Sequence, residues 1–421
     1  MNLSRPGGLI HNTLWMILGQ GVRILVQTVY FILIARILDS DGYGAFAGVV
    51  AVVAILAPFA GWGGGSLLIQ NVARDNSLFA VYWGRALGIL GLSSILLIVT
   101  AVILAWCILP STIELSIVLC VAISDLFFIR IVELSGQAFQ AFQKLFKTAL
   151  TSILIAVSRL CAVLILLYIN GSAKLLLIWA LLYLAGSLVV ACITFLWVIG
   201  ELGWPRWHLS DWHRGFGEGL FFSIGTSAQR IYTDSDKALL TRLSTLETAG
   251  IYSAAFRLAD VCFIPVSALL NAAYPRFFMH GSQGLQSSVG LAKRLMPPAL
   301  VYAVIAAVGI YFIAPFLPLL LGGQYAESVK AARWLAILPF LMTLRYLAAN
   351  SLTGAGQQAL RSVCEVAIAI FNVILNLILI PKLGWMGAAI SVIASEVLLS
   401  ILLWGLIGIN LRHYRNINAQ I

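Results

Sequence analysis

Apolar segments of membrane-spanning length follow one another along almost the entire sequence. A transmembrane helix needs about 20 predominantly apolar residues. The segments that meet this requirement are 12–37, 43–65, 80–109, 113–138, 147–169, 174–199, 215–241, 249–276, 293–320, 329–353, 358–381 and 385–410. Hydrophobic residues make up 61% of the chain, charged residues only 10%, and the mean hydropathy is +0.99, well outside the range of soluble domains. The sequence therefore predicts an all-α integral membrane protein with about twelve transmembrane helices.

The ends of the first two predicted helices have specific signals. The first apolar run, from Leu14 to Leu38, is too long for a cleavable signal peptide and leads directly into further spans, so we expect it to remain as the first helix. Four glycines, at positions 61, 63, 64 and 65, predict that the second helix ends or breaks early.

The formal net charge of +10 is explained by the loops between the predicted helices. Cytoplasmic loops of membrane proteins are enriched in lysine and arginine. If the N-terminus is cytoplasmic, the inside segments carry about twice as many basic residues as the outside ones. We therefore expect both termini in the cytoplasm, and the charge gives no reason to expect nucleic acid as a partner.

A polar linker divides the sequence into two predicted domains. The longest polar stretch, Glu201 to Arg214, lies between the sixth and seventh spans, and its tryptophans and proline are typical of a membrane-surface segment. We place the boundary near residue 205, with helices 1–6 in 1–204 and helices 7–12 in 205–421. A weak internal repeat supports this division: Gly42-Tyr43-Gly44 follows Arg36, and Gly250-Ile251-Tyr252 follows Arg242.

The seventh and eighth predicted helices each carry one polar stripe. Residues at three- and four-residue steps share a helical face. These residues are Ser223, Thr226, Arg230, Asp234 and Lys237 on the first of these helices, and Ser253, Arg257, Asp260, Ser267 and Asn271 on the second. A charged side chain at membrane depth costs about 2.5–3.5 kcal/mol on insertion scales, so we expect both stripes to face the bundle interior or a water-filled cavity.

Ion pairing within single helices is an alternative role for some of these charges. The pairs at helical spacing are Arg130–Glu133, Arg257–Asp260 and Arg230–Asp234. Because a buried pair also tends to line a functional cavity, both interpretations stay open.

Gln20, Arg23 and Gln27 form a stripe on the first helix with no acidic residue at helical spacing. A guanidinium group donates hydrogen bonds in pairs and keeps its proton, so it suits an anion such as a phosphate. An interhelical partner such as Asp125 is the alternative for Arg23. Arg159, in the otherwise apolar fifth helix, has the same two interpretations.

The remaining polar residues do not indicate an enzyme. Glu365, Asn372 and Asn376 share a face of the eleventh helix, where the amides are expected to form interhelical hydrogen bonds. Glu365 and Glu396 are candidates for binding a coupling proton. The sequence contains no nucleotide-binding glycine loop and no Ser/His/Asp set. We expect no enzyme activity, no cofactor and no metal site.

A distinctive sequence joins the last two predicted helices. It runs from Asn372 through Ile380-Pro381-Lys382-Leu383-Gly384 to Gly387-Ala388-Ala389. Further motifs are Ala35-Arg36, Gly42-Tyr43-Gly44, Asp236-Lys237, Gly250, Tyr252, Arg257, Pro275-Arg276 and Gly323-Gln324-Tyr325. These motifs and their order along the chain resemble those of the polysaccharide transporter family of the multidrug/oligosaccharidyl-lipid/polysaccharide (MOP) superfamily.

The resemblance implies a MATE-like fold of two six-helix lobes that works by alternating access. From the polar stripes we expect a central cavity lined by the first, seventh and eighth helices. It further implies an O-antigen-type flippase, which moves undecaprenyl-pyrophosphate-linked oligosaccharide across the bacterial inner membrane for O-antigen or exopolysaccharide synthesis. Such relatives use cavity arginines for the pyrophosphate, and the matching positions here are Arg23 and Arg257. The predicted cavity residues are Gln20, Arg23, Gln27, Arg159, Arg230, Asp234, Arg257 and Asp260. Expected partners are the lipid-linked oligosaccharide, membrane lipid, a proton or sodium ion, a polysaccharide polymerase and a chain-length regulator.

Two other functions are compatible with a chain of many spans. A cation-coupled drug exporter of the same superfamily should have an acidic or apolar cavity. At membrane depth the first half of this chain holds more basic than acidic residues and the second half more acidic than basic, so we expect a polyanionic head group to be held mainly by the first half. An integral membrane glycosyltransferase or polymerase generally needs a long extracytoplasmic loop, and every predicted loop here is short. The sequence therefore favours the flippase.

Overall fold

The structure is a computed structural model that describes residues 6–72, 75–169, 174–206 and 216–418. Within these ranges, the side chains of 6–20, 66, 70, 216–226, 275 and 413–418 lie outside the description. The α-helices are α1 (Pro6–Leu56), α2 (Gly64–Val72), α3 (Phe79–Ile108), α4 (Leu115–Ile123), α5 (Ile129–Ala141), α6 (Leu145–Tyr168), α7 (Leu175–Leu202), α8 (Phe216–Leu243), α9 (Leu246–Gly281), α10 (Leu285–Ile313), α11 (Leu317–Leu321), α12 (Ser328–Leu335), α13 (Leu338–Gly354), α14 (Gln358–Leu383) and α15 (Trp385–Asn418). The predicted all-α membrane fold is confirmed.

Among the described residues, ten helical segments are long and apolar enough to cross a membrane. One of them lies in α1, which is two helices joined at a kink, because Asp39 has φ 56° and ψ −178°. The kink lies in the predicted loop between spans 12–37 and 43–65. In addition, α8 has 28 residues, enough to cross the membrane. With these two features, the described helices account for each predicted span.

The glycine-rich segment ends the second span, as predicted. Helix α1 stops at Leu56, and a 3₁₀ turn over Ala57–Phe59 follows. Gly61 and Gly63 then have positive φ angles of 78° and 72°, a conformation that glycine adopts without strain. The short helix α2 beyond this turn was not predicted.

The described helices α4 and α5 form one membrane span that is interrupted by a π-helical turn over Ser124–Phe128. A π turn inserts an extra residue into the helical ladder and is often associated with functional positions. Asp125 lies in this turn.

The chain forms two compact units. The first comprises Met1–Leu38 and Val49–Ser227, and the second comprises Asp39–Gly48 and Ala228–Ile421. The core of the first unit contains the fully buried Trp83 and Phe139, and the core of the second contains Tyr232 and Leu399. Most of the linker near residue 205 lies outside the described residues, so the division into 1–204 and 205–421 stays a prediction.

Candidate functional site

Three charged residues of α8 lie on one helical face in the second unit. Arg230, Asp234 and Lys237 are spaced four and three residues apart. One Asp234 oxygen is 2.6 Å from Lys237 Nζ, and the other is 3.7 Å from Arg230 Nη1. The Arg230 side chain is 57% exposed, whereas those of Asp234 and Lys237 are 14% and 13% exposed. The Asp234 carboxylate thus fixes the Lys237 ammonium, whereas the Arg230 side chain remains accessible.

Helix α9 adds Arg257 and Asp260 to the same region. Asp260 is within electrostatic range of Lys237, Arg257, Asp234 and Arg230. No hydrogen bond or ion pair engages Arg257 in the part of the chain that the structure describes. The ion pair between Arg257 and Asp260, which was one of the two interpretations left open by their spacing, is therefore not formed.

We call Arg230, Asp234, Lys237, Arg257 and Asp260 the charged face. Three of its side chains are cationic and two are anionic, so it carries one excess positive charge. Lys237 Nζ also lies 4.1 Å from the centroid of the Phe256 ring, a cation–π contact that further fixes the ammonium. An excess of fixed cations at membrane depth can bind an anionic group.

Close packing of two glycines brings Tyr43 to the charged face. A Cβ atom on Gly44 would meet the backbone of Leu246 and Gly250, and one on Gly250 would meet the backbone of Ser40 and Gly44. These are glycines of the internal repeat noted in the sequence. Tyr43 is within electrostatic range of Arg257, Lys237 and Asp260.

In the first unit, Arg159 takes part in a buried network. Its Nη1 donates to the carbonyl of Tyr183 at 2.5 Å, its Nη2 donates to Ser124 Oγ at 3.2 Å, and Nη2 lies 3.6 Å from an Asp125 oxygen. The Tyr183 hydroxyl donates to Asp125 at 2.9 Å. The Arg159 guanidinium also stacks 3.1 Å from the Tyr183 ring centroid. These contacts account for Arg159 as an interhelical partner of Asp125.

The stripe of the first helix is only partly described. Arg23 and Gln27 are half-buried on α1, and the Gln20 side chain lies outside the described residues. Asp125, the alternative partner suggested for Arg23, contacts Arg159. Anion binding by Gln20, Arg23 and Gln27 stays a prediction for the first unit.

Outside the charged face, contacts between helices and within one helix bury further polar residues in the second unit. Arg345 on α13 and Glu396 on α15 form a fully buried ion pair at 2.8 Å. Glu365 pairs with Arg361 one turn away on α14, also at 2.8 Å. Asn372 accepts from Ser235 and donates to Ser395, which confirms the predicted role of this amide in holding helices together. Sequence spacing could have indicated the Arg361–Glu365 pair but not the Arg345–Glu396 pair.

The sequence matches the polysaccharide biosynthesis protein family over residues 9–280. An uncharacterized membrane protein of Methanocaldococcus jannaschii is 24% identical over 190 residues, which cover 42% of this chain and 36% of that protein. The probable low-salt glycan biosynthesis flippase Agl15 of Haloferax volcanii is 22% identical over 182 residues, which cover 43% of this chain and 39% of that protein. The matched stretch spans less than half the length of each of these curated relatives.

Solved structures share the fold along nearly the whole chain. An inward-facing multidrug resistance MATE family transporter of the MOP superfamily superimposes with a TM-score of 0.77 at 14% identity, covering 95% of this chain and 99% of that one. A MOP superfamily transporter from Pyrococcus furiosus superimposes with a TM-score of 0.66 at 15% identity, covering 95% of each chain. The chain therefore belongs to the polysaccharide biosynthesis protein family and has the fold of the MATE transporters of the MOP superfamily.

Proposed function

We propose that this protein is a flippase that moves undecaprenyl-pyrophosphate-linked oligosaccharide across the bacterial inner membrane by alternating access. The oligosaccharide would be an O-antigen or exopolysaccharide repeat unit. The main support is that the Arg257 guanidinium lies within a membrane span and forms no ion pair in the described part of the chain. The family match and the flippase name of the Haloferax relative support the same conclusion.

The chemistry of the head group explains why arginine would be used. A pyrophosphate that enters a low-dielectric cavity loses its hydration shell, and fixed guanidinium donors replace the lost hydrogen bonds. Each charge-assisted hydrogen bond contributes about 1.5–3 kcal/mol. Arg257 would provide the principal ligand, with Arg230 as an accessible second cation. Asp260 would position Arg257 electrostatically without pairing with it.

Arg23 is the corresponding head-group ligand proposed for the first unit. It is half-buried on α1, one helical turn from Gln27, whose amide would hydrogen-bond a phosphate or sugar oxygen.

Complementation of a flippase-deficient bacterial strain tests the proposed site. We expect Arg257→Gln and Arg23→Gln to reduce surface polysaccharide about tenfold or more, because loss of one strong ligand removes at least about 1.4 kcal/mol. Arg257→Lys and Arg23→Lys should retain part of the activity, since lysine keeps the charge but lacks the guanidinium fork. Asp260→Asn should weaken export without abolishing it.

The matched control is Arg294→Gln, because Arg294 is an exposed arginine of α10 outside the charged face. Protein abundance in the membrane is measured in parallel. Normal export by both Arg23→Gln and Arg257→Gln at normal abundance would show that the proposed head-group site is wrong. If Arg257→Gln and Asp260→Asn instead lower abundance together, these two residues serve folding.

A cation-coupled drug exporter is the second candidate, because multidrug MATE transporters share the fold. Such an exporter would bind cationic compounds at Asp234 and Asp260. The accessible Arg230 and the Arg257 of the charged face, which is unpaired among the described residues, disfavour that ligand class. Efflux of a cationic dye that depends on Asp260 but not on Arg257 would favour the exporter over the flippase. Neither candidate is an enzyme.

A further inference from the structure

Asp236 lies beside the charged face, but its surroundings differ from those of Asp234 and Asp260. It is completely buried in the second unit. One carboxylate oxygen accepts from the Tyr252 hydroxyl on α9, and the other accepts from the backbone N–H of Lys237 at 2.8 Å. Among the described residues, no cation lies within 4.0 Å of the Asp236 carboxylate. By contrast, the buried carboxylates of Glu365 and Glu396 each pair with an arginine.

This environment suits a carboxyl group that changes protonation state. An ionised carboxylate that is buried with no cation at ion-pair distance has a high desolvation cost, which a neutral carboxylic acid avoids. The two hydrogen bonds received by Asp236 lower the cost of the ionised form. The Tyr252 hydroxyl can either donate to the carboxylate or accept from the protonated acid, so one geometry serves both states.

The charge of Asp236 acts on the same residues that would hold an anion. The charged groups around Asp236 are Asp234 and Lys237 on α8, with Asp260 on α9 also within range of Lys237 and of Tyr252. With Asp236 ionised, the cluster of Asp236 and the charged face has three cations and three carboxylates and is neutral. A proton on Asp236 would restore one excess positive charge.

We propose that Asp236 is a proton-binding site whose protonation strengthens the binding of a pyrophosphate head group on the charged face. The proton and the anion then bind cooperatively, and each increases the affinity for the other. The identity of the anion rests on the function proposed above, whereas proton binding by Asp236 does not.

Infrared spectroscopy of the full-length protein in lipid nanodiscs tests proton binding without a ligand. We expect a carboxylic acid band that disappears as the pH rises and that is absent from Asp236→Asn. Tyr252→Phe should keep the band to a higher pH, because the ionised carboxylate loses a donor. The control Glu247→Gln changes an exposed acid at the start of α9 and should leave the titration unchanged. A band that is absent from the wild type, or that persists in Asp236→Asn, would overturn the proposal.

Binding of undecaprenyl pyrophosphate between pH 5.5 and 8.5 tests the coupling. One linked proton changes affinity by at most about tenfold per pH unit. We expect wild-type affinity to fall with rising pH more steeply than that of Asp236→Asn, so that the variant binds more tightly at high pH and equally at low pH. The titration of the pyrophosphate itself is common to both proteins and cancels in their ratio.

If the affinity for undecaprenyl pyrophosphate depends on pH in the same way for the wild type and Asp236→Asn, the coupling is refuted. A wild type that binds no undecaprenyl pyrophosphate at any pH would instead refute the proposed function, and the infrared titration would then decide proton binding alone. Thermal melting of each variant shows whether the substitution is tolerated. If Asp236→Asn does not fold, Tyr252→Phe replaces it in the comparison with the wild type. The pH at which its affinity falls should then be higher than that of the wild type, as for the infrared band.

Discussion

At the scale of single residues, the structure separates arginines that hold helices together from arginines that are available to a ligand. Arg159 and Arg345 each contact a carboxylate on another helix, at 3.6 Å and 2.8 Å. Arg257 has no such partner in the described part of the chain, and Arg230 is largely exposed. Substitutions at these two kinds of position should therefore have different effects.

We expect Arg159→Gln to reduce stability without acting on the substrate. The substitution leaves the Asp125 carboxylate buried without its cation, which costs about 3–5 kcal/mol for a buried pair. Thermal unfolding in detergent should show a lower midpoint for Arg159→Gln, and the double variant Asp125→Asn/Arg159→Gln should recover part of the loss. A normal midpoint combined with lost lipid binding would return Arg159 to the substrate site, where the sequence had placed it.

At the scale of helices, two local structural features determine how helices of the second unit are arranged. The first is the close approach of Gly44 and Gly250, where an added Cβ would meet backbone atoms. The second is the kink at Asp39, where Gln324 Nε2 donates to the Asp39 side chain at 2.8 Å and the Tyr325 hydroxyl donates to its carbonyl at 3.1 Å. Burial raises the pKa of Tyr325 above its ordinary value.

Gly250→Ala should destabilise the protein by about 1–3 kcal/mol, because overpacking against a backbone cannot be relieved by moving a side chain. The matched control is Gly290→Ala in α10, since a Cβ there would meet nothing within 4 Å. Alanine has the higher helix propensity, so the control should be neutral or stabilised by up to about 1 kcal/mol. Melting midpoints that shift in the same direction would contradict the packing explanation.

The kink predicts an order among substitutions at Asp39. Its φ of 56° and ψ of −178° belong to a region that is essentially restricted to glycine. Asp39→Ala keeps the strain and loses the bond from Gln324, whereas Asp39→Gly loses the bond but relieves the strain. Asp39→Gly should therefore be more stable than Asp39→Ala by about 1 kcal/mol, measured by thermal unfolding. The reverse order would show that the kink is not strained.

At the scale of the whole molecule, the loop charges predict a topology with both termini in the cytoplasm. Single cysteines at Asp41, Ser111 and Glu327, in a background without the native cysteines, should react with a membrane-impermeant maleimide from outside intact cells. In the first outside loop, Asp41 is exposed and suits labelling, whereas the neighbouring Ser40 is only 4% exposed. Cysteines at Asp75, Gln143 and Gln283 should react only after the membrane is opened. Labelling with the opposite sidedness would overturn the topology.

The sequence by itself determined the membrane fold and the position of nearly every helix. Hydrophobic length is a local property, because each span must satisfy its own backbone hydrogen bonds in lipid. The helix ends near residues 39 and 56 were also predictable, since a loop and a glycine-rich turn are encoded by neighbouring residues. Helical spacing further placed Arg230, Asp234 and Lys237 on one face, and the structure brings these side chains together.

Only the tertiary structure decided which charges are paired. Arg257 and Asp260 are at pairing distance along a helix yet form no ion pair in the described chain, while Arg345 and Glu396 pair across 51 residues. The burial of Asp236 against Tyr252 also depends on how α8 meets α9. The physical reason is that a side chain reaches another helix only when the rotation and crossing of both helices allow it. Those two variables are set by the packing of the whole unit, which no local pattern in the sequence records.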